Sequence, residues 1–199
     1  MSKSVIVIGA GAAGTMAAGT AAENGADVLL IERNDKIARK VMITGKGRCN
    51  VTNDVGDDVQ KFISNIPGNG RFLYGAYSAF NSQDVMYFFE DYGVELKVER
   101  GNRVFPVSDK AVDIVDALNH YITDMGVKRK TEKVVGLITE NNTVKGVVTD
   151  LGNEYYADSV IIATGGLSYP KTGSTGDGYK FAESVGHTVT PLRPSLSAL

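Results

Sequence analysis

Two clusters in this chain set the residue types of cofactor chemistry at close spacing. The first is GAGAAG, in which Gly9, Gly11 and Gly14 stand at GxGxxG spacing with Ala10, Ala12 and Ala13 between them. Such a cluster can hold a diphosphate. The first glycine permits a tight turn, the second lets the anion approach the backbone, and the third lets helix and strand pack closely, while the helix that follows offers free N–H groups and partial positive charge. Glu32 ends the next apolar run, where a carboxylate can accept from ribose hydroxyls and repel a 2′-phosphate. That suits FAD or NAD, with the neighbouring Arg33 pulling the other way. The competing explanation is glycines that serve packing alone.

The second cluster is ITGKGRCNVTN, Ile43 to Asn53, which gathers two glycines, Lys46, Arg48 and the chain's single cysteine, Cys49. Its glycines allow a ligand near the backbone, and its cations can answer negative charge on a diphosphate or a reduced flavin. Cations beside Cys49 would lower its pKa and suit it to redox work, but a lone cysteine is more often a small buried filler, and no second thiol exists to form a disulfide. Later, ATGG (Ala163, Thr164, Gly165, Gly166) ends an apolar strand, and TGSTGDGY places Gly176, Asp177 and Gly178 before an expected helix. That helix start is a second candidate anion site. Two such starts on one ligand imply a molecule larger than a single diphosphate site requires, and FAD lying extended satisfies this.

Other candidates are weaker. Tyr74, Tyr77 and Tyr169 can line a cavity or deliver a proton, though aromatic residues more often pack, and Tyr169 is favoured because it follows the ATGG turn. His120 and His187 read as surface or capping residues, and no spacing of His, Cys or carboxylates suggests a metal.

The elements that must position these residues follow from periodicity. Ser4 to Ile8 reads as a buried strand, Ala12 to Asn24 as a helix of small residues stopped by Gly25, and Asp27 to Glu32 as a second buried strand, which together make a parallel βαβ unit. A weakly periodic insertion runs to Asn81, with a helix near Asp57 to Asn65. Ser82 caps a helix to about Tyr92. Val94 to Val98 and Arg103 to Phe105 pair as short strands, and Ser108 or Asp109 caps a helix whose face carries Val112, Val115, Leu118 and Ile122. Val127 to Tyr156 holds three β-rich runs separated by ENNT and DLGN, the turn chemistry of an antiparallel meander. Asp158 to Gly166 is a last buried strand, Tyr179 to Val185 a helix, and His187 starts a polar strand. The fold class is α/β, a Rossmann-like sheet with a β-meander crossover and a helical, irregular insertion.

The bulk numbers restrict the function classes. The 199 residues are 43% hydrophobic and 22% charged, which supports a real core. A net charge of -2 with no long basic run gives no electrostatic footprint for nucleic acid or an anionic membrane, so the expected partner is a small-molecule substrate. One cysteine excludes a disulfide framework, the apolar run at the start is too short for a signal peptide, and no segment is long enough to span a bilayer. A cytoplasmic protein is expected.

The blocks VIGAGAAGTMAA, ITGKGRCNVTN, RVFPVSDKA, ATGGLSYPKTGSTGDGY and PLRPSL resemble the BaiN-type flavoproteins, the aminoacetone-oxidase-like family of NAD(P)/FAD-dependent oxidoreductases. The likeness spans nearly the whole chain, and the GKGRCN and SYPxTGSTGDGY blocks are far more specific than GxGxxG. It implies non-covalent FAD in a glutathione-reductase-like fold, and oxidoreductase activity on small or steroid-like substrates, one member type reducing double bonds in 3-oxo bile-acid intermediates. It places Gly9 to Gly14 on the pyrophosphate, Glu32 on the adenosine ribose, and the backbone of Val134, or of Val135 after a one-residue shift, beside the adenine. Lys40 and the loop of Thr44, Gly45, Gly47, Arg48, Cys49 and Asn50 fall near the pyrophosphate and flavin ring. Ala163 to Gly166 and Gly176 to Gly178 complete the wall. The resemblance also implies chains about twice this long, with a further domain after PLRPSL and a returning C-terminal strand, so residues 1–199 form the N-terminal portion of the FAD-binding domain and are expected to hold FAD weakly.

The expected function is therefore an FAD-dependent oxidoreductase exchanging hydride through flavin N5, with NADH or NADPH as candidate electron donor. Its rivals are an NAD-dependent dehydrogenase, for which no nicotinamide-side catalytic pair is visible, and a cofactor-binding fragment without turnover.

Overall fold

The computed structural model describes residues 2–193. In chain order the elements are β1 (Ser4–Ile8), α1 (Ala12–Glu23), β2 (Asp27–Glu32), β3 (Thr52–Asn53), α2 (Val59–Ser64), α3 (Tyr74–Ala79), α4 (Ser82–Asp91), β4 (Leu96–Glu99), β5 (Arg103–Pro106), α5 (Ala111–Asp124), β6 (Lys128–Thr131), β7 (Val134–Glu140), β8 (Thr143–Thr149), β9 (Glu154–Tyr156), β10 (Ser159–Ile162) and α6 (Asp177–Ser184). The described residues form two compact units, one of residues 2–39 with 122–193 and one of residues 40–121.

The first unit is built on a parallel sheet of order β10-β1-β2-β6. β1 sits between β10 and β2, which pair both its edges, and Ile6, Val7 and Ile8 are buried. Helix α1 buries Gly14, Thr15, Ala18 and Gly19, a stripe small enough for the helix to lie close on the sheet. The buried Thr15 hydroxyl donates back to the Gly11 and Ala12 carbonyls, which satisfies it inside the helix. The meander β7-β8-β9 adds a second layer, and Val134, Val147 and Phe181 close a core with Ile6, Ile8 and Ile31. At the amino ends of the strands, Ser4 and Asp158 exchange hydrogen bonds and Lys128 pairs with Asp27, tying β1 to β10 and β2 to β6.

Three expectations change in this unit. The stretch after Val127 is split between sheets: β6 pairs in parallel with β2, and the meander begins only at Val134. Thr131, Glu132 and Lys133 carry no turn-forming residue that would mark the break. The last strand is also an edge rather than a buried strand, with Ile162 exposed. His187 lies in irregular chain, not in a strand.

The second unit packs β3-β5-β4 as an antiparallel sheet beside short helices. Helix α4 is capped by Asn81, not Ser82: the Asn81 side chain accepts from Gln83 and Asp84 N–H while Asp84 accepts from Asn81 N–H, a reciprocal capping box. Ser82 is buried and donates to the Gly56 carbonyl beside Tyr77, whose hydroxyl reaches the same oxygen. Helix α5 buries Leu118 and Ile122 of the expected face, together with Ala111, Ile114, Ala117 and Tyr121, while Val112 is exposed, so the inward face agrees with the expected one only in its second half.

Candidate functional site

In the first unit the carboxyl ends of three strands stand side by side, since Ile8 pairs with both Ile31 and Ile162. Past the ladder the stitching continues: Gly9 N–H donates to the Ile31 carbonyl (2.8 Å) and Ala163 N–H to the Ile8 carbonyl (2.9 Å). The turns leaving these ends carry Gly9 to Gly14, Glu32 to Asn34, and Ala163 to Gly166. Open parallel sheets hold ligands at such carboxyl ends.

The three glycines of the first turn are glycines for different reasons. Gly9 has φ +97, and a Cβ there would stand 2.8 Å from the Ala163 carbonyl oxygen; a Cβ on Gly14 would stand 1.7 Å from the Gly9 oxygen. Packing alone fixes both. Gly11 has φ -77, open to any residue, and among the described residues nothing beyond its own chain neighbours lies within 4 Å of where its Cβ would be. Nothing in the protein requires glycine there, whereas an anion lying against the backbone does. Gly11 also caps α1 without a side-chain hydrogen bond, no acid occupies the first turn, and Ala12 and Ala13 are exposed. The first amides of α1 are left to an anion.

Glu32 is half-buried and anchored. Its Oε2 accepts from Ala10 N–H at 2.7 Å, and its Oε1 accepts from Asn34 N–H at 2.9 Å and Asn34 Nδ2 at 2.6 Å. Arg39 donates to Asn34 Oδ1 in turn. A carboxylate oxygen takes about two donors, so Oε1 is filled and Oε2 keeps one acceptor position for a hydroxyl. Asn34 and Arg39 were not singled out in the sequence. A short polar residue two positions past a strand end is a turn signal that marks Asn34, while nothing local marks Arg39.

On the neighbouring turn, Thr164 Oγ1 is buried with no hydrogen-bond partner, and a Cβ on Gly178 would come within 2.6 Å of it. An orphaned buried hydroxyl costs about 1–3 kcal/mol, which a ligand hydroxyl or phosphate oxygen would offset. Gly165 (φ +72) and Gly176 (φ +78) face Ser174 and Leu167, so these glycines let the start of α6 lie on the ATGG turn. Gly166 lies against the Tyr179 hydroxyl. Asp177 occupies the first turn of α6, which makes that helix start a poorer anion site than the GDG spacing suggests; its carboxylate is bound by Arg33 (3.1 Å) and Thr175 (2.9 Å).

Val134 is buried in the core and holds its place opposite Thr149, but the ladder then jumps to Gly136 opposite Val148. Val135 is thus the bulge residue, off the ladder and half exposed, and of the two it has the freer backbone. An open Gly11, uncovered α1 amides, a spare acceptor on Glu32 and the orphaned Thr164 hydroxyl together fit a dinucleotide such as FAD.

The remaining expected residues, from Lys40 to Asn50, belong to the second unit. Gly45, Lys46, Gly47 and Cys49 all have left-handed φ, +56, +61, +86 and +61. For Lys46 and Cys49 that conformation costs roughly 1–2 kcal/mol each, and such strain gathers at functional turns. A Cβ on Gly45 would press Asn50 N–H (2.9 Å) and the Phe105 ring (3.0 Å). The loop closes on itself: Thr44 donates to the Val41 carbonyl, Arg48 N–H bonds the Gly45 carbonyl and Cys49 N–H the Thr44 carbonyl. The charge of Arg48 is answered within its own unit, by Glu99 (2.9 Å) and Asp109 (3.3 Å), with its guanidinium 4.1 Å from the Phe105 ring centre. Lys97 first, with Arg48 adding, holds the Asp109 carboxyl below its ordinary range. Burial pushes the Cys49 thiol up, a hydrogen bond with Thr44 only partly opposing, so the thiolate a redox role needs is disfavoured.

Tyr77 is buried and stacked on Phe62, whereas Tyr74 and Tyr169 are exposed. Among the described residues no cluster could hold a metal ion, and no helix is long and apolar enough to cross a membrane. Positions 194–196 of PLRPSL lie outside the described residues.

The model of the HI0933-like protein Rossmann domain matches residues 3–193. The chain belongs to this family. Among relatives of this HI0933-like chain, the 3-dehydro-bile acid delta(4,6)-reductase of Clostridium scindens is 34% identical over 199 residues, covering 97% of this chain and 46% of that protein. The ribosomal RNA dihydrouridine synthase of Escherichia coli is 33% identical over 192 residues, covering 96% and 46%. The chain thus spans about half the length of the curated relatives it matches. The crystal structure of 3-ketosteroid-delta4-(5alpha)-dehydrogenase from Rhodococcus jostii RHA1 superposes with a TM-score of 0.62 at 22% identity, over 83% of this chain and 46% of that one, a likeness of fold. The resemblance read from the sequence blocks and the Rossmann-like α/β fold are both borne out.

Proposed function

We propose that this chain is the nucleotide-holding part of a flavoprotein oxidoreductase that binds FAD and reduces a carbon–carbon double bond conjugated to a carbonyl. The observation that carries the reading is the cradle around Gly11, the one glycine of its motif that protein packing leaves unexplained. Gly11 to Ala13 would offer backbone N–H groups to the diphosphate, Glu32 Oε2 would accept from a ribose hydroxyl, and Thr164 Oγ1 would meet a polar atom of the cofactor. Bound FAD supplies two-electron exchange at flavin N5, with NADH or NADPH as donor. The chain's part is to hold the nucleotide extended and to keep a 2′-phosphate away through the Glu32 carboxylate.

The substrate class rests on chemistry shared by two relatives. A 3-oxo bile acid with double bonds at positions 4 and 6, and a uracil ring, each present an alkene in conjugation with a carbonyl. The net charge of -2 favours the small steroid-like substrate over RNA. To test this, the FAD-loaded protein is reduced anaerobically with NADH or NADPH and then mixed with a steroid 4-en-3-one or a uridine-bearing RNA. Return of the oxidised flavin spectrum with the steroid and formation of its saturated ketone are expected. Reoxidation by the RNA alone would move the substrate to nucleic acid, and reoxidation by neither would reject the conjugated-alkene reading.

A further inference from the structure

We infer that Arg33 is a positioning residue for the cradle: it staples the turn before α6 to the end of β2, and by being held there keeps its own charge away from the nucleotide. This rests on the dinucleotide reading of the site. Arg33 directly follows Glu32, so its charge would ordinarily be available to a 2′-phosphate on the ribose that Glu32 serves. Its Nη1 instead donates to Thr175 Oγ1 (2.8 Å), Asp177 Oδ2 (3.1 Å) and the Gly173 carbonyl (3.5 Å). Thr175 Oγ1 donates to the same Asp177 oxygen at 2.9 Å, which closes a triangle between segments more than 140 residues apart in sequence.

The turn so held is otherwise fixed by its own backbone, Gly173 N–H donating to the Pro170 carbonyl, and by packing. Gly173 and Gly176 are left-handed, with φ +108 and +78, and a Cβ on Gly173 would stand 3.0 Å from Asn34 Nδ2, so the turn lies directly on the residues that follow Glu32. Ser174, buried in the same turn, backs Gly165, the neighbour of the orphaned Thr164 hydroxyl. Arg33 therefore connects the β2 end to the wall on the ATGG side. The Arg33–Asp177 pair is partly exposed, with side-chain exposures of 32% and 24%, so position rather than raw charge is its contribution.

Titrations of FAD, ADP-ribose and 2′-phospho-ADP-ribose into wild type, Arg33→Ala, Arg33→Lys and Thr175→Val test the inference, with hydrogen exchange of the 173–177 amides read in parallel on the ligand-free proteins. Loss of one such hydrogen-bonded contact weakens binding by roughly three- to tenfold, expected for FAD in both Arg33→Ala and Thr175→Val. Both should also lose protection in the turn, and Arg33→Lys should recover part of each effect. Thr175→Val, which loosens Arg33 without removing it, should bind 2′-phospho-ADP-ribose relatively better than wild type does. If Thr175→Val binds FAD more tightly, Arg33 meets the ligand directly and the staple is wrong. Unchanged FAD binding and turn protection in Arg33→Ala would also overturn it. Failure of wild type to bind either unphosphorylated nucleotide would instead remove the dinucleotide reading, while the turn's protection would still report on the staple.

Discussion

Gly14→Ala is expected to destabilise the nucleotide-binding unit by about 3 kcal/mol or more, at or above the top of the range usual for overpacking. A Cβ at this position would lie 1.7 Å from the Gly9 carbonyl oxygen, 2.9 Å from its carbon and 3.3 Å from Ala163 Cβ. The first two obstacles are backbone, and Gly9 is itself held by its N–H on Ile31 and by the close Ala163 carbonyl. No rotamer change relieves the clash, so α1 must lift off the sheet. Urea unfolding measures the loss. Gly75→Ala in α3 is the control: nothing lies within 4 Å of a Cβ there, and alanine should stabilise that helix by about 0.5–1 kcal/mol. Equal unfolding midpoints for Gly14→Ala and wild type would mean that α1 does not lie as close to β1 as described.

Gly11→Ala is expected to do the opposite, leaving the fold intact and emptying the cradle. The position has an ordinary extended backbone, φ -77 and ψ -173, and open space for the methyl group. Stability should change little, because the restricted unfolded chain and alanine's poorer fit to the N-cap of α1 act in opposite directions by about 0.5–1 kcal/mol each. FAD affinity should fall about ten- to a hundredfold, the effect of losing one charge-assisted hydrogen bond of roughly 1.5–3 kcal/mol between diphosphate and backbone. The two measurements must separate: unfolding by urea, and FAD binding by quenching of flavin fluorescence. Equal FAD affinity for Gly11→Ala and wild type would leave Gly11 without a ligand-based reason.

The two glycine substitutions also mark what sequence could and could not tell. GxGxxG, the β-branched run before it and Glu32 after it sufficed for β1, α1 and β2, because each is specified by residues within a few positions. Which glycine serves packing and which serves a ligand depends on Ala163, some 150 residues away. The partners of Arg48 and Arg33 were hidden for the same reason: Glu99, Asp109 and Asp177 come close only through the fold. Where local signals were equivalent, the choice went astray. Asn81 and Ser82 are both good caps, and only the reciprocal bond with Asp84 decides for Asn81. β6 and β7 are both β-rich, and only pairing with β2 assigns Lys128–Thr131 to the parallel sheet. The glycines of GKGRCN were read as room for a ligand near the backbone, not as a left-handed turn, and Lys46 and Cys49 share that conformation against their own preference.

The measurement that bears most directly on the account is equilibrium dialysis of the protein against FAD and, separately, against NAD, with the bound nucleotide identified after denaturation. Saturation at one FAD per chain, released intact and without covalent attachment, is the predicted result. Binding of NAD in preference to FAD, or of neither nucleotide, would contradict it.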